Sequence, residues 1–194
     1  MIALIDYGAG NTASVANALD SLKADYLLTN KEIDICRAEK VIFPGVGEAS
    51  FAVKQLHRSN LFNLLRIVKK PMLGICLGMQ LMAEFSTEGN VACLGIIPGR
   101  IEKFDPEEVT VPHMGWNEVY HTKESKLFKE IKDGEFFYFA NSYYLPLVDN
   151  TIAKANHGID FSAAVEKDNF YGVQFHPEKS AEAGLKLLNN FLNL

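Results

Sequence analysis

The apolar positions change period along the chain, and the changes mark its elements. Met1 to Ile5 is a short apolar run broken by Asp6-Tyr7-Gly8-Ala9-Gly10, which predicts a strand and then a turn. Asn11 can cap a helix in which Val15, Ala18, Leu19 and Leu22 fall on one face. Tyr26-Leu27-Leu28 predicts a second strand. Val41-Ile42-Phe43 predicts a third, stopped by Pro44-Gly45-Val46-Gly47. Residues 48–69 read as helix in one or two pieces, ended by Pro71. Met72-Leu73-Gly74-Ile75 then starts another buried strand, and residues 77–84 read as helix. This alternation implies a mainly parallel central sheet flanked by helices.

The second half has a different rhythm. Residues 100–104, 109–120, 135–140, 151–156, 161–166 and 170–175 are strand-like, with few helices between them. These are the additional antiparallel strands expected in the C-terminal half. Asp168-Asn169 between two such runs predicts a hairpin. Residues 180–192 predict a closing helix with Ala181, Leu185, Leu188 and Phe191 inward. Without repeats, low-complexity tracts or linkers, one α/β domain over residues 1–194 is the economical reading.

Composition narrows the class. The 194 residues are 48% hydrophobic and 22% charged, which excludes wholesale disorder, collagen and coiled coil. A chain of this length buries about 70% of its unfolded surface, so no staple is needed. The net charge of −5, without a basic stripe, makes nucleic acid a poor partner. Cys36, Cys76 and Cys93 form no C-x-x-C pair, so neither a disulfide framework nor a cysteine zinc site is indicated. Free thiols suit a reducing compartment. The first basic residue is Lys23, so no positively charged leader is expected, and no apolar run approaches the roughly 18 residues of a membrane span. A cytoplasmic protein without a membrane partner is the expectation.

Gly74-Ile75-Cys76-Leu77-Gly78 has the form of a nucleophile elbow with cysteine in place of serine. Glycines suit its tight turn, and a helix N-terminus favours the thiolate. The Leu77 N–H is then placed to stabilise an oxyanion. The plain alternative is a buried structural cysteine, as most free cysteines are. A cysteine nucleophile wants a histidine base and a group that orients it. His57 reads as a surface residue, His157 as solvated beside Gly158, and His121 as a strand end. His113 sits in the odd interruption Pro112-His113-Met114-Gly115-Trp116-Asn117. His176 is the best base: it ends the strand Gly172-Val173-Gln174-Phe175, and Glu178 is near enough to accept from it.

Other chemistries fit less well. His-x-Glu is half of a zinc deaminase signature whose cysteine half is missing here. Gly8 to Ala13 fits a loose dinucleotide fingerprint, but the second strand ends in Leu28-Thr29-Asn30, without the acid such a site needs.

Cys76, His176 and Glu178 together resemble the class I glutamine amidotransferases. Asp6 to Asn11 (DYGAGN), Pro44 to Gly47 (PGVG), Gly74 to Gln80 (GICLGMQ), Pro112 to Asn117 (PHMGWN), Asn141 to Tyr144 (NSYY) and Gly172 to Ser180 (GVQFHPEKS) narrow the likeness. They are similar to the glutaminase subunits of imidazole glycerol phosphate synthases. The resemblance implies hydrolysis of glutamine through a thioester on Cys76, with His176 as base and acid and Glu178 orienting it. It implies a second oxyanion donor near Val46, and a glutamine site at Gly47, Gln80, Glu88, Ser142 and Tyr143. It implies no metal and no cofactor. It also implies a heterodimer with a (β/α)8-barrel cyclase subunit, which uses the ammonia in histidine biosynthesis. Trp116, Tyr138 and Asn141 are candidates for that interface.

One position departs from the pattern: the family usually has histidine where this chain has Asn141. The change leaves the triad intact and leaves room for a paralogue feeding a different acceptor, such as a surface sugar. A scaffold that kept the fold, and a cysteine hydrolase on the same elbow, are the readings from other classes.

Overall fold

Residues 1–194 are all described by a computed structural model. The first apolar run forms β1 (Ile2–Ile5), and Asn11 caps α1 (Thr12–Ser21), its Oδ1 accepting from the Ser14 N–H. β2 (Tyr26–Thr29), α2 (Glu32–Arg37), β3 (Lys40–Gly45), α3 (Ala49–Arg58), α4 (Leu61–Ile67) and β4 (Met72–Cys76) complete the alternating half. A four-residue α5 (Leu77–Gln80) and the short strands β5 (Phe85–Ser86) and β6 (Val91–Ala92) follow. Then come β7 (Arg100–Lys103), β8 (His113–His121), β9 (Glu135–Asn141), β10 (Tyr143–Tyr144), β11 (Thr151–His157), β12 (Ile159–Lys167), β13 (Phe170–Val173) and α6 (Ala181–Leu192).

Nine strands build one sheet in the order β2-β1-β3-β4-β13-β12-β11-β8-β9. The first five run parallel, and from β13 to β9 every pairing is antiparallel. The antiparallel strands therefore extend the parallel sheet. Side chains alternate between two apolar layers. Ala3, Ile5, Val41, Phe43 and Met72 belong to one, and Ile2, Leu4, Ile42, Leu73 and Ile75 to the other. The expected hairpin at Asp168-Asn169 joins β12 to β13, with Lys167 opposite Phe170. No helix is long and apolar enough to cross a membrane.

Several boundaries differ from the sequence expectation. β3 runs through Pro44 to Gly45. Its pairing with β1 ends at Ile42, so proline sits where only β4 continues beside it, an edge position. The helix expected over 77–84 stops at Gln80. The carbonyls of Leu81, Met82, Ala83 and Glu84 accept from backbone N–H groups between Cys93 and Ile97 instead. β8 begins only at His113, not at 109, and β13 ends at Val173. On α6 the buried face is Gly184, Leu187, Leu188, Asn190 and Phe191; Ala181 is exposed and Leu185 half-buried. β7 answers to the strand expected over 100–104, but it pairs in a separate small sheet, β10-β7-β5-β6; that sheet's other strands and α2 were not anticipated, being too short to show a period.

Candidate active site

Cys76 is the last residue of β4, and its φ of 54° and ψ of −111° turn the chain sharply into α5. Such a conformation is costly for a residue with a side chain and persists only where the surrounding structure imposes it. The turn closes only because glycine follows: a Cβ at Gly78 would lie 1.9 Å from the Phe43 carbonyl oxygen. α5 therefore packs directly on β3, and Cys76 stands at the carboxyl end of the parallel sheet, where open α/β folds place ligands.

β13 is the strand beside β4, so the chain beyond it arrives at the same edge. His176 lies three residues past Val173, followed by a 3₁₀ turn over Pro177–Lys179 that carries Glu178. His176 Nδ1 and Glu178 Oε1 are 2.8 Å apart, with both side chains almost fully buried. That contact leaves Nε2 for Cys76. Burial pulls the His176 imidazole down, but hydrogen bonding and charge interaction with Cys76 and Glu178 outweigh it and raise it to about 10. The backbone holds the histidine too. Its N–H donates to the Tyr138 carbonyl at 2.8 Å, and its carbonyl accepts from Ser180 Oγ at 2.6 Å.

A cavity of about 160 Å³ opens beside the sulfur, lined by Val46, Gly47, Cys76, Leu77, Gln80, Glu88, Ala140, Asn141, Ser142 and Tyr143. All five residues named as a glutamine site thus share one wall system with Cys76. Gln80 Nε2 donates to the Tyr143 carbonyl at 2.8 Å and to Gln174 Oε1 at 2.9 Å. Glu88 accepts from the first N–H of α3, at Ala49, at 3.0 Å. Burial pushes the Glu88 carboxyl up; the Ala49 N–H opposes this and the neighbouring Glu48 adds to it. Leu77 opens α5 immediately after the sulfur. Gln174 was not singled out from the sequence, although it lies two residues before His176 in the same motif. It is fully buried, and its Nε2 approaches Cys76 Sγ at 3.7 Å.

Val46 lines the cavity, and its N–H donates to the Ala9 carbonyl, an orientation the sequence leaves open. Two expectations need correction. Asn141 is not on an outer face with Trp116 and Tyr138. It is buried in the cavity wall, its Nδ2 donating to the Tyr143 carbonyl at 2.9 Å. His157 is not a solvated turn residue: its ring stacks on buried His113 at 4.2 Å, and its Nε2 meets the Thr110 carbonyl. His113 itself stands in an aromatic cluster with Phe104, Phe139 and Phe161, outside the Cys76 cavity. His57 is exposed, and His121 ends β8 against Phe128. Trp116 is 53% exposed and meets the half-buried Tyr138 edge-on across β8 and β9, 6.2 Å between ring centres.

A doubly flanked cysteine at a strand-to-helix turn, with a buried histidine–glutamate pair beside it, is the site expected of a glutamine amidotransferase. The class I glutamine amidotransferase family profile matches residues 3–194, and the chain belongs to that family. Its relatives narrow the assignment to the HisH subunits of imidazole glycerol phosphate synthase. The HisH subunit of Bacteroides fragilis is 48% identical over 195 residues, covering 100% of this chain and 99% of its own. That of Vibrio parahaemolyticus is 44% identical over 199 residues, covering 100% and 98%. Among solved structures, a glutamine amidotransferase superposes with a TM-score of 0.76 at 16% identity, covering 100% of this chain and 98% of that one. A glutamine amidotransferase from Thermotoga maritima gives 0.65 at 15% identity, covering 99% and 82%. These two show the fold.

Proposed function

We propose that this chain is the glutaminase subunit of imidazole glycerol phosphate synthase, a single domain over residues 1–194. One observation carries the reading: Cys76, His176 and Glu178 meet at the rim of a cavity whose wall holds Gln80, Glu88, Ser142 and Tyr143. The Cys76 sulfur attacks the side-chain carbonyl carbon of glutamine while His176 holds the thiol proton. The resulting oxyanion is met by the Leu77 N–H and, after a rearrangement, by a donor from the Gly45–Gly47 segment. His176 then protonates the departing nitrogen. The C–N bond breaks, and ammonia leaves a γ-glutamyl thioester. Water attacks that thioester with His176 taking its proton, the C–S bond breaks, and glutamate is released. Glu178 sets the ring orientation throughout. Glu88, a carboxyl on the cavity wall, matches the substrate ammonium in sign.

The partner in this reading is a (β/α)8-barrel cyclase that consumes the ammonia in the cytoplasm. Free ammonia in water would protonate and diffuse away, so a docked acceptor follows from the chemistry. Trp116 and Tyr138 supply the aromatic part of the docking face. The product complex makes imidazole glycerol phosphate and aminoimidazole carboxamide ribonucleotide for histidine biosynthesis.

The test is glutamate release by the chain alone, with its cyclase, and with cyclase plus the ribonucleotide substrate, each repeated with Cys76→Ser. Hydrolysis that needs Cys76 and couples to the cyclase is expected. Hydrolysis independent of Cys76 would overturn the reading. Cys76-dependent hydrolysis that no cyclase stimulates would favour a paralogue with another acceptor, the alternative suggested by Asn141.

A further inference from the structure

We infer that Gln174 is a positioning residue for the nucleophile: its side-chain N–H points at Cys76 Sγ, and its opposite end is locked by Gln80. The inference rests on the assignment of Cys76 as nucleophile.

The polarity of this contact follows from a chain of hydrogen bonds anchored on the backbone. The Tyr143 carbonyl can only accept, so Gln80 must present Nε2 to it, at 2.8 Å. The second N–H of the same nitrogen then meets Gln174, at 2.9 Å, and only Oε1 of Gln174 can receive it. Nε2 of Gln174 is thereby turned to the sulfur, at 3.7 Å. Side-chain amide orientation is ordinarily an assignment from the network, and here a backbone carbonyl fixes it. Gln174 has no freedom to turn, being fully buried between Val173 and Phe175, also fully buried. Its own N–H is held by the Ala163 carbonyl at 2.8 Å.

An N–H aimed at sulfur favours the thiolate over the thiol, and burial strengthens the effect. It also restrains the sulfur, whose attack geometry decides the rate. The arrangement joins two parts of the site, since Gln80 and the Tyr143 carbonyl line the substrate cavity while Gln174 lies behind it. The other titratable groups facing Cys76 are His176 past β13, Tyr7 past β1 and Glu88 across the cavity. Substitution at Gln174 leaves all three in place.

Two variants separate the roles of the amide. Gln174→Glu keeps an acceptor for Gln80, removes the donor to sulfur and sets a carboxylate beside it. Gln174→Met removes both. The readout is the pH profile of Cys76 alkylation by iodoacetamide, followed by peptide mapping to exclude Cys36 and Cys93. For Gln174→Met the profile should move up by about one pH unit, the scale of losing a hydrogen bond to a charged group. For Gln174→Glu it should move further, with kcat falling more than KM. A support role confined to Gln80 would leave Gln174→Met with the profile of the unsubstituted chain, and that result overturns the inference whatever Gln174→Glu shows, because the added carboxylate alone raises the latter's profile. Lowered thermal stability with unmoved profiles overturns it as well. Should both variants fail to fold, the Gln174 side-chain amide resonance of the unsubstituted chain is followed against pH. It should track the alkylation profile and lose that dependence in Cys76→Ala; a resonance indifferent to Cys76 rejects the contact. Retained glutamine hydrolysis in Cys76→Ser would remove the nucleophile itself, a different failure from unshifted Gln174 variants of an enzyme that needs Cys76.

Discussion

The backbone N–H of Val46 donates to the carbonyl of Ala9 at 3.2 Å, across the gap between the loops that follow β3 and β1. A donor so engaged stabilises no oxyanion. A change of conformation in the Gly45–Gly47 segment would release this N–H and free the Ala9 carbonyl. Gly47, at φ 96° directly after Val46, gives that segment conformational freedom. One oxyanion donor is worth about 10²–10³ in kcat. The chain alone should therefore hydrolyse glutamine slowly, with a rise of that order when a ligand-bound partner subunit docks. Gly47→Ala should lower the ratio of stimulated to basal rate, since a side chain is strained at that φ although nothing crowds it. Gly45 is no test of the switch, because a Cβ there would meet the Tyr7 hydroxyl at 2.7 Å and the Gly78 nitrogen at 2.9 Å. Full activity in the isolated chain, measured by steady-state glutamate release, would exclude the switch.

Ser180 ties β9 to His176. Its Oγ donates to the His176 carbonyl at 2.6 Å and accepts from the Tyr138 N–H at 2.9 Å. Ser180→Ala strands a partly buried N–H and lets the His176 turn relax. The expected cost is about 1–3 kcal/mol of stability. A fall in kcat of at least tenfold should accompany it, since a shift of about 1 Å in a reacting group can cost 10²-fold. Thermal melts and steady-state kinetics on the same preparation check both, and unchanged kcat would show that β9 alone holds the histidine.

Two buried histidines bend the stability profile in opposite directions. Burial, with His157 beside it, pulls His113 down to about 4, against the opposing effect of Asn141. Between its ordinary 6.5 and about 4, the unfolded chain takes up a proton that the folded chain refuses, so stability falls as pH falls. His176 does the reverse. Between 6.5 and about 10 the folded chain keeps a proton that the unfolded chain has released, so stability falls as pH rises. Melting temperature against pH should flatten on the acid side in His113→Phe and on the alkaline side in Cys76→Ala, which removes one of the groups that raise His176. An unaltered acid limb in His113→Phe would assign acid sensitivity to other groups.

The parallel half of the fold was legible because its central strands β1, β3 and β4 are buried and α1 and α3 carry a clear apolar face. Val15, Ala18 and Leu19 were enough to orient α1. The elbow was legible because Gly74 and Gly78 are backbone requirements that leave a mark in sequence. Asn141 and Gln174 were harder. Gln174 meets Gln80 and Cys76, both far away in sequence, and Asn141 meets a backbone carbonyl, which every residue offers, so no side-chain pattern encodes either partner. The state of the Val46 peptide was hidden for another reason: two orientations of one peptide share one sequence.

The three cysteines should separate cleanly by chemistry. Cys93 is buried and its thiol is pushed up to about 12 by that burial, whereas Cys36 is exposed. A γ-glutamyl affinity label should modify Cys76 alone and abolish activity, because only Cys76 lines the cavity. A general alkylating reagent should reach Cys36 as well and spare Cys93 in the folded chain. Peptide mapping distinguishes these results, and inactivation that tracks modification of Cys36 or Cys93 would reassign the nucleophile.

Asn141 offers the sharpest test of the cavity wall. Its Nδ2 donates to the Tyr143 carbonyl, the same oxygen that orients Gln80. Across the β8–β9 ladder its partner is His113. The ring of His113 has a defined tautomer. The Asn117 amide is oriented by the Asn156 carbonyl, which accepts from Nδ2, and by the Glu118 N–H, which donates to Oδ1. Asn117 Nδ2 therefore donates to His113 Nε2 at 3.1 Å, and the His113 proton lies on Nδ1. Asn141 Oδ1 and His113 Nδ1 are both buried without a hydrogen-bond partner, an acceptor and a donor on facing residues. Asn141→His can keep a ring N–H for the Tyr143 carbonyl, and burial beside two other imidazoles keeps the new ring neutral. Its kcat/KM should stay within tenfold of the unsubstituted chain. Asn141→Leu removes both ends of the amide, leaving the Tyr143 carbonyl to Gln80 alone. It should lose more than tenfold in kcat/KM, about 1.4 kcal/mol of transition-state stabilisation. Equal kinetics for Asn141→Leu and the unsubstituted chain would show that the position works through its backbone, and that Gln80 needs no second donor at the Tyr143 carbonyl to hold its place.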